Sequence, residues 1–494
     1  MESLALFVFL FIFTLICFST FKLYKRRLGL PPGPTPFPLV GNLLQGSTIL
    51  YDTYHKFTER YGPIFTLWMG TSPMVVLCGY EVVKDALINY SKQFSYRGSL
   101  PISERLSGGY GIITTNGEPW QQTRRFTVTT LKNSGLGTRT VDLRIQEEAS
   151  HLIKAVKELN GQAFDPLTLL ERAVNNVINL SVFGRRWDYE DQQFQKFINT
   201  INYLLVFLRS PLGVTYSAFP GVMRCLPGRH NKIFNDTEDI KALIRSQVDS
   251  HLDTLDMDSP RDFIDSFLIR MKKEKVQQDS VFSRENLVIS AFEFFIAGTE
   301  TTSNTVQFSL LVMIKYPQIQ ERVRQEIHTV IGTNRLPTLA DRLELPYTNA
   351  VVHEIMRFLD LVPLSLPHKV MEDTAFRGFT IPKGTTIIPV LGSVLSDPAH
   401  WAKPKEFYPE HFLDQNGKFC MNDAFIPFSA GKRICPGEGV ARSEAFLFLA
   451  SLVQNFTFRA VSLPHTLNLE RMRRDFRKKG LVYSLKAHPW VPSL

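Results

Sequence analysis

Between Ser283 and Lys315 the chain keeps to one pattern, helix-forming and apolar on most faces. At 1.5 Å per residue such a helix is roughly 50 Å long. A rod with so little polar surface has to be buried along its length, so it must run through the middle of a large body. Spanning a bilayer would also bury it, but Glu293 and Glu300 would then lie in hydrocarbon. The remaining elements must therefore pack around this segment.

The chain can supply such a body. Its 494 residues are 44% hydrophobic and 21% charged, and 38 of them are Phe, which suits a large apolar interior or pocket. Length alone would allow two or three domains, and no repeat of fixed period is visible. Ile319, Val323 and Ile327 recur at helical spacing after Pro317, a good first-turn residue. Ile64 to Met69, Met74 to Leu77 and Thr385 to Val390 look like short strands. The expected class is mainly α with small β-sheets.

The N-terminus reads as a membrane anchor. Leu4 to Phe21 is almost wholly apolar, roughly 18 residues and just long enough to span a bilayer. Lys22, Lys25, Arg26 and Arg27 close it. A cleaved signal peptide carries its positive charge before the apolar run, so this segment is expected to stay attached. The basic cluster should remain cytoplasmic, with the rest of the protein facing the cytosol. Pro31, Pro32, Pro34, Pro36 and Pro38 then form an extended, semi-rigid spacer. The expected division is an anchor over 1–27, a proline-rich linker over 28–42 and a catalytic domain over 43–494. In that topology the sequons at Asn89, Asn179, Asn235 and Asn455 stay bare.

Net charge is +9, from 56 Lys and Arg against 47 Asp and Glu, which fits an acidic partner or a membrane surface. Zinc-finger spacing and other nucleic-acid modules are absent, so no nucleic-acid partner is expected. The 5 cysteines are widely spaced without a CxxC pair, so a disulfide framework is not expected.

The most specific signal is Phe428-Ser429-Ala430-Gly431-Lys432-Arg433-Ile434-Cys435-Pro436-Gly437. A lone cysteine is usually an inert core residue, but its setting here argues otherwise. Gly431 and Gly437 permit a tight loop close to a flat ligand, Phe428 can pack against a thiolate, and Arg433 can pair with an acid on that ligand.

This stretch resembles the haem-binding loop of the cytochrome P-450 superfamily, and Glu438, Ala441, Arg442, Glu444, Phe446, Leu447 and Phe448 resemble its microsomal family-2 branch. The likeness extends over nearly the whole chain, through Trp120 to Arg124, Ala297 to Thr302, Glu354 to Arg357 and Pro409 to Phe412. In the last of these, His411 stands where many relatives have Arg. The resemblance implies the helical-prism fold of that family behind a transmembrane helix. It also implies haem b ligated by Cys435.

Further roles follow from the same resemblance. Thr301 would hold the reacting oxygen and a water while Glu300 feeds protons from solvent, and Gly298 would leave space for O2. Arg97, Trp120, Arg124, His368 and Arg433 match the residues that hold the haem carboxylates, with Phe428 and Gly437 shaping the loop. Glu354 and Arg357 would lock with the Pro409 to Phe412 segment behind the haem. Alone, the hydroxyl of Thr301 could simply bond back to a carbonyl one turn earlier.

The reading is a haem-thiolate monooxygenase of the endoplasmic reticulum membrane, single-pass, with its body in the cytosol. It would insert one atom of O2 into an apolar lipid, steroid or xenobiotic. Electrons would come from NADPH through a flavoprotein reductase docked near Arg125, Lys132 and Lys432, with cytochrome b5 as a second donor. Substrate contacts are expected from the loop Pro101 to Ile113, the stretch Leu204 to Phe219, Ile296, Ala297, Val362 and Leu366. Rival readings are a haem-thiolate isomerase or peroxygenase that needs no reductase, and a non-catalytic haem sensor.

Overall fold

The computed structural model describes residues 29–42, 45, 50–133, 139–274, 280–461, 467–479 and 482–490, with scattered positions before residue 29. Half of the expected anchor, 4–21, lies outside them. Among the described residues no single helix is long and apolar enough to cross a membrane.

The labelled helices, in chain order, are α1 (Leu50–Tyr61), α2 (Pro101–Ser107), α3 (Gly117–Asn133), α4 (Arg139–Glu158), α5 (Pro166–Val182), α6 (Gln192–Arg209) and α7 (Pro211–Ala218). They continue as α8 (Arg229–Asp253), α9 (Phe263–Glu274), α10 (Arg284–Lys315), α11 (Pro317–Val330), α12 (Pro346–Leu359), α13 (Glu438–Asn455) and α14 (Leu469–Lys479). The pair α6 and α7 would reach the length and apolarity of a span, but it bends by 65°.

The long apolar segment is indeed one helix, α10. Its 32 residues begin where Ser283 caps the Asn286 N–H with its side chain. They stop at Tyr316, ahead of Pro317 at the start of α11. Helices α5, α8, α12 and α13 pack around it. The expected stripe of α11 faces inward, with Ile319, Val323 and Ile327 buried. Apolar residues form two large cores. One gathers α4, α12, α13 and the C-terminal half of α10. The other gathers α2, α6 to α9 and its N-terminal half.

The strands are β1 (Ile64–Met69), β2 (Ser72–Leu77), β3 (Tyr96–Arg97), β4 (His368–Lys369), β5 (Thr374–Phe376), β6 (Phe379–Ile381), β7 (Thr386–Pro389), β8 (Phe456–Ala460) and β9 (Leu485–Pro489). The largest sheet has the order β1-β2-β7-β4-β3, parallel only between β2 and β7. Its inner edge pairs Arg97 with His368 across β3 and β4. The pairs β5/β6 and β8/β9 form separate sheets.

The proline-rich stretch is more than a tether. Thr66 N donates to Pro32 O at 2.8 Å, Phe37 pairs with Gly41, and Trp68 N donates to Asn42 Oδ1 at 2.7 Å. A Cβ on Gly33 would collide with the Thr66 backbone. Fixed φ values hold these residues extended along β1, so the stretch is fastened to the body. The region read as a loop from Pro101 to Ile113 also differs, because α2 occupies its first half. Pro101 starts that helix, and Gly108 closes it in the left-handed conformation at φ 58°.

Candidate active site

Cys435 lies on a loop whose shape is set by contacts within the protein. Ser429 and Gly431 take positive φ, 66° and 70°, and a Cβ on Gly431 would strike Leu87 O. That glycine therefore serves close packing on the Asp85–Asn89 turn. Cys435 N donates to Phe428 O at 3.0 Å, while the Phe428 ring sits under Arg442, 5.6 Å away.

Burial pushes the Cys435 thiol up. The N–H groups of Gly437 and Glu438 and the charge of Arg124 oppose that, and Glu438 adds to it. These N–H groups are the first of α13, so the sulfur faces the positive end of an 18-residue helix. By surface area the residue is exposed, yet protein surrounds it on most sides.

Five expected residues gather beside this loop. Arg97 is buried, with Nε on Ile113 O at 3.0 Å. Arg433 is buried and donates to Ser95 O at 2.8 Å, Thr115 O at 2.8 Å and Asn116 Oδ1 at 2.7 Å. Its guanidinium lies 3.6 Å over the Trp120 ring, and Arg124 donates to Ile434 O. Burial, then the like charges of Arg97 and Arg124, push Arg433 down to about 8. Burial likewise lowers Arg97 to about 10. A guanidinium gives up its proton very reluctantly, so such a cluster needs an anion.

Two further groups point the same way. Trp120 Nε1 and His368 Nε2 are buried without a hydrogen-bond partner among the described residues. The His368 ring is held neutral, lowered to about 3 by burial and by Arg97. Its Nδ1 lies 2.6 Å from Phe94 O, so a neutral ring carries its proton there and a lone pair on Nε2. An anion nearby would draw a second proton onto that nitrogen.

On α10 the alcohols follow the ordinary helical habit. Thr301 is half-buried and its hydroxyl donates to Ala297 O at 2.7 Å; Thr299, Thr305 and Ser309 bond back in the same way. Glu300 is turned to α6, where Arg209 pairs with it at 2.6 Å. A Cβ on Gly298 would stand 2.7 Å from Ile178 Cδ1, so its smallness admits α5.

A cavity is lined by Ser103, Leu106 and Ser107 of α2, Leu204 and Leu208 of α6, and Ile289, Phe292, Glu293 and Ile296 of α10, with Ile113. Of the expected substrate contacts it brings together Ile113 and Ile296, with Ser103, Leu106 and Ser107 from the Pro101 to Ile113 region and Leu204 and Leu208 from the Leu204 to Phe219 stretch. Ala297, Val362 and Leu366 are not in its lining; all three are exposed, and Leu366 O accepts from Arg97 Nη1 at 3.4 Å. Glu354 and Arg357 lie apart from it on α12, fully buried and paired.

A cytochrome P450 family model matches residues 31–476. The chain belongs to the cytochrome P450 family. It is 44% identical over 481 residues to cytochrome P450 2G1 of Oryctolagus cuniculus, covering 96% of this chain and 97% of that one. Cytochrome P450 2A4 of Mus musculus is 46% identical over 460 residues, 93% of each chain. Cytochrome P450 2C8 of Homo sapiens is 46% identical over 469 residues, 95% of each. As a microsomal family-2 P450 the protein is a haem-thiolate monooxygenase of the endoplasmic reticulum membrane, fed with electrons by a reductase. The residues around Cys435 fit a haem: a sulfur donor, desolvated cations that form no salt bridge among the described residues, and polar atoms on Trp120 and His368 without a partner among them.

Sequence reasoning passed over two residues of this P450 site. Asn116 Oδ1 accepts from both Arg97 N at 2.6 Å and Arg433 NH2, tying the cations together. Glu293 accepts the Ile112 and Ile113 N–H groups at 2.5 and 3.1 Å, fixing the loop beneath the cavity. Burial pushes that carboxyl up to about 8, against the pull of those N–H groups. An acid in the centre of an apolar helix was the available signal for Glu293. Asn116 gave none.

Proposed function

We propose that Cys435 would supply the sulfur ligand to the haem iron, and that Arg97, Trp120, Arg124, His368 and Arg433 would hold its carboxylates, with Phe428 and Gly437 shaping the ligand loop. The observation that carries this reading is the Cys435 sulfur, which receives the Gly437 and Glu438 N–H groups beside Arg124. Bound there, the haem would supply the iron at which O2 is activated and one oxygen atom is passed to substrate, the other leaving as water.

The chain's residues bind, orient and move protons around that chemistry. The Thr301 hydroxyl spends its own proton on Ala297 O, so it presents lone pairs and holds a water as acceptor. Glu300, paired with Arg209, passes protons inward from solvent. Ile113, Ile296, Ala297, Val362 and Leu366 offer aliphatic surface, so selection is by hydrophobic shape. Lipids, steroids and foreign compounds fit that description.

The same reading includes the division into an anchor over 1–27, a linker over 28–42 and a catalytic domain over 43–494. One pass through the membrane leaves the body in the cytosol, in contact with lipid. Arg125, Lys132 and Lys432 are exposed, and we assign the reductase and cytochrome b5 to that face.

The test is spectroscopic. Reduced protein under carbon monoxide shows the long-wavelength Soret band of a thiolate adduct, and Cys435→His loses it. An unchanged band in the variant removes Cys435 from the site. Substrates are then sought by spin-state shift, with turnover dependent on NADPH and reductase. Protease added to intact microsomes should digest the body; protection would overturn the topology.

A further inference from the structure

Helix α2 is only 7 residues long, too short to hold itself together in water. Its place is set by what it docks on. Ile102 and Leu106 are buried in the second core, and Ser103, Leu106 and Ser107 form one wall of the cavity. A shift of α2 is therefore a change in the shape of that cavity.

Two cations fasten the helix from opposite directions. Arg105 reaches out of α2. Its guanidinium lies 3.7 Å from the centre of the Phe234 ring on α8 and donates to the hydroxyl of buried Tyr216 on α7 at 2.9 Å. Lys241 reaches in from α8, with a side chain 6% exposed, and donates to Leu106 O at 2.8 Å and to Glu238 at 2.6 Å. Leu106 O belongs to the last turn of α2, where the carbonyls lack helical partners and a cation is favoured.

Phe234, Glu238 and Lys241 stand four and three residues apart, hence on one face of α8. One seam of α8 thus grips both the side and the C-terminal end of α2. Burying an ammonium group is costly unless it is fully bonded. Lys241 places that group on a backbone carbonyl of the cavity wall.

We propose that Arg105 and Lys241 are positioning residues that clasp α2 to α7 and α8, and so set how tightly and for how long the cavity holds an apolar ligand. This rests on the reading of that cavity as the substrate site. Movement of α7 or α8 is carried to the wall through these contacts.

The test uses the full haem-loaded chain and 4-phenylimidazole as probe, followed by its Soret shift in stopped flow. Arg105→Met keeps the stem and removes the charge, and Lys241→Met does the same. Each should speed probe dissociation by about tenfold, with a smaller change in association. For any substrate turned over, KM should rise more than kcat falls. The reduced carbon monoxide band reports that the Cys435 loop is intact. Lys241→Arg, which can again donate to Leu106 O, should restore slow dissociation.

Unchanged dissociation in both methionine variants, with only thermal stability lowered, overturns the clasp. If Lys241→Met does not fold, Arg105→Met and Lys241→Arg still decide the matter through the same rate. Leu204→Trp separates the two readings, because it fills the cavity. Probe binding that survives Leu204→Trp overturns the cavity as the ligand site. Binding lost there, with dissociation unmoved in the clasp variants, overturns the clasp alone.

Discussion

Arg357 holds Glu354 through two parallel hydrogen bonds of 2.7 Å, and neither residue is reached by solvent to any useful extent. The remaining guanidinium N–H groups donate to Leu395 O, Pro404 O and Glu406 O. Glu354 also accepts from Tyr408 N and lies 3.1 Å from His411 Nδ1. Because His411 Nε2 accepts from Lys403 N at 3.0 Å, a neutral ring carries its proton on Nδ1, toward Glu354. A histidine here ties the Pro409 to Phe412 segment to Glu354.

Breaking this lock from one side leaves a buried carboxylate unpaired. Arg357→Ala should cost roughly 3–5 kcal/mol. The expected result is loss of soluble, haem-loaded protein, measured as the yield of the reduced carbon monoxide band. A variant that folds and loads normally would show that the pair is dispensable.

Thr301→Ala should leave NADPH consumption running while product falls several-fold and hydrogen peroxide rises. On the role proposed for Thr301, the variant keeps the helix and loses the hydroxyl that would accept a water near the reacting oxygen. Thr301→Ser should retain most of the coupling. Equal coupling in Thr301→Ala would mean that water and Glu300 suffice.

His251 on α8 lies 2.8 Å from Asp262, just ahead of α9. Burial alone would push its imidazole down. The hydrogen bond and charge of Asp262, with the Gln247 carbonyl, outweigh that and hold it above its ordinary 6.5. A raised pKa contributes stability that is fully present below the unfolded value and lost as pH rises through the folded one. The unfolding midpoint should therefore fall as pH rises above the ordinary 6.5 of a histidine, and His251→Gln should flatten that slope. Parallel curves for both proteins would exclude the pair as the cause.

Much of the fold was legible because burial imposes its pattern on sequence. α10 announces itself through apolar residues on nearly every face, and the stripe of Ile319, Val323 and Ile327 marks α11. The sulfur loop was legible through residue types that few other loops combine. Glycine roles were not. Gly298 and Gly431 are small because Ile178 and Leu87 crowd them, and such neighbours are distant in sequence. α2 was read as loop because seven residues carry too short a period, while the Arg105 and Lys241 contacts that fix it come from elsewhere. Glu293 stood out as an acid in an apolar helix, but its partners are backbone N–H groups, and Asn116, which accepts from Arg97 N and Arg433, left no mark on the pattern.

The sulfur of Cys435 receives N–H groups from Gly437 and Glu438. Such bonds withdraw electron density from a thiolate and raise the potential of the metal it binds. The residue between Cys435 and these donors is Pro436, which has no N–H to give. A loop of this shape with an ordinary residue there would carry one more donor next to the sulfur. This protein should hold a more electron-rich sulfur, hence a lower iron potential and a stronger push toward O–O cleavage. Pro436→Leu restores the N–H and leaves the Gly437 and Glu438 donors in place. The potential measured by spectroelectrochemistry should rise, while the reduced carbon monoxide band stays at its thiolate position. Proline also stiffens a turn by fixing φ, and that contribution would appear as a lower melting temperature in the same variant. An unchanged potential with lowered thermal stability would leave Pro436 as a rigidifying residue, with the tuning assigned to Gly437 and Glu438 alone.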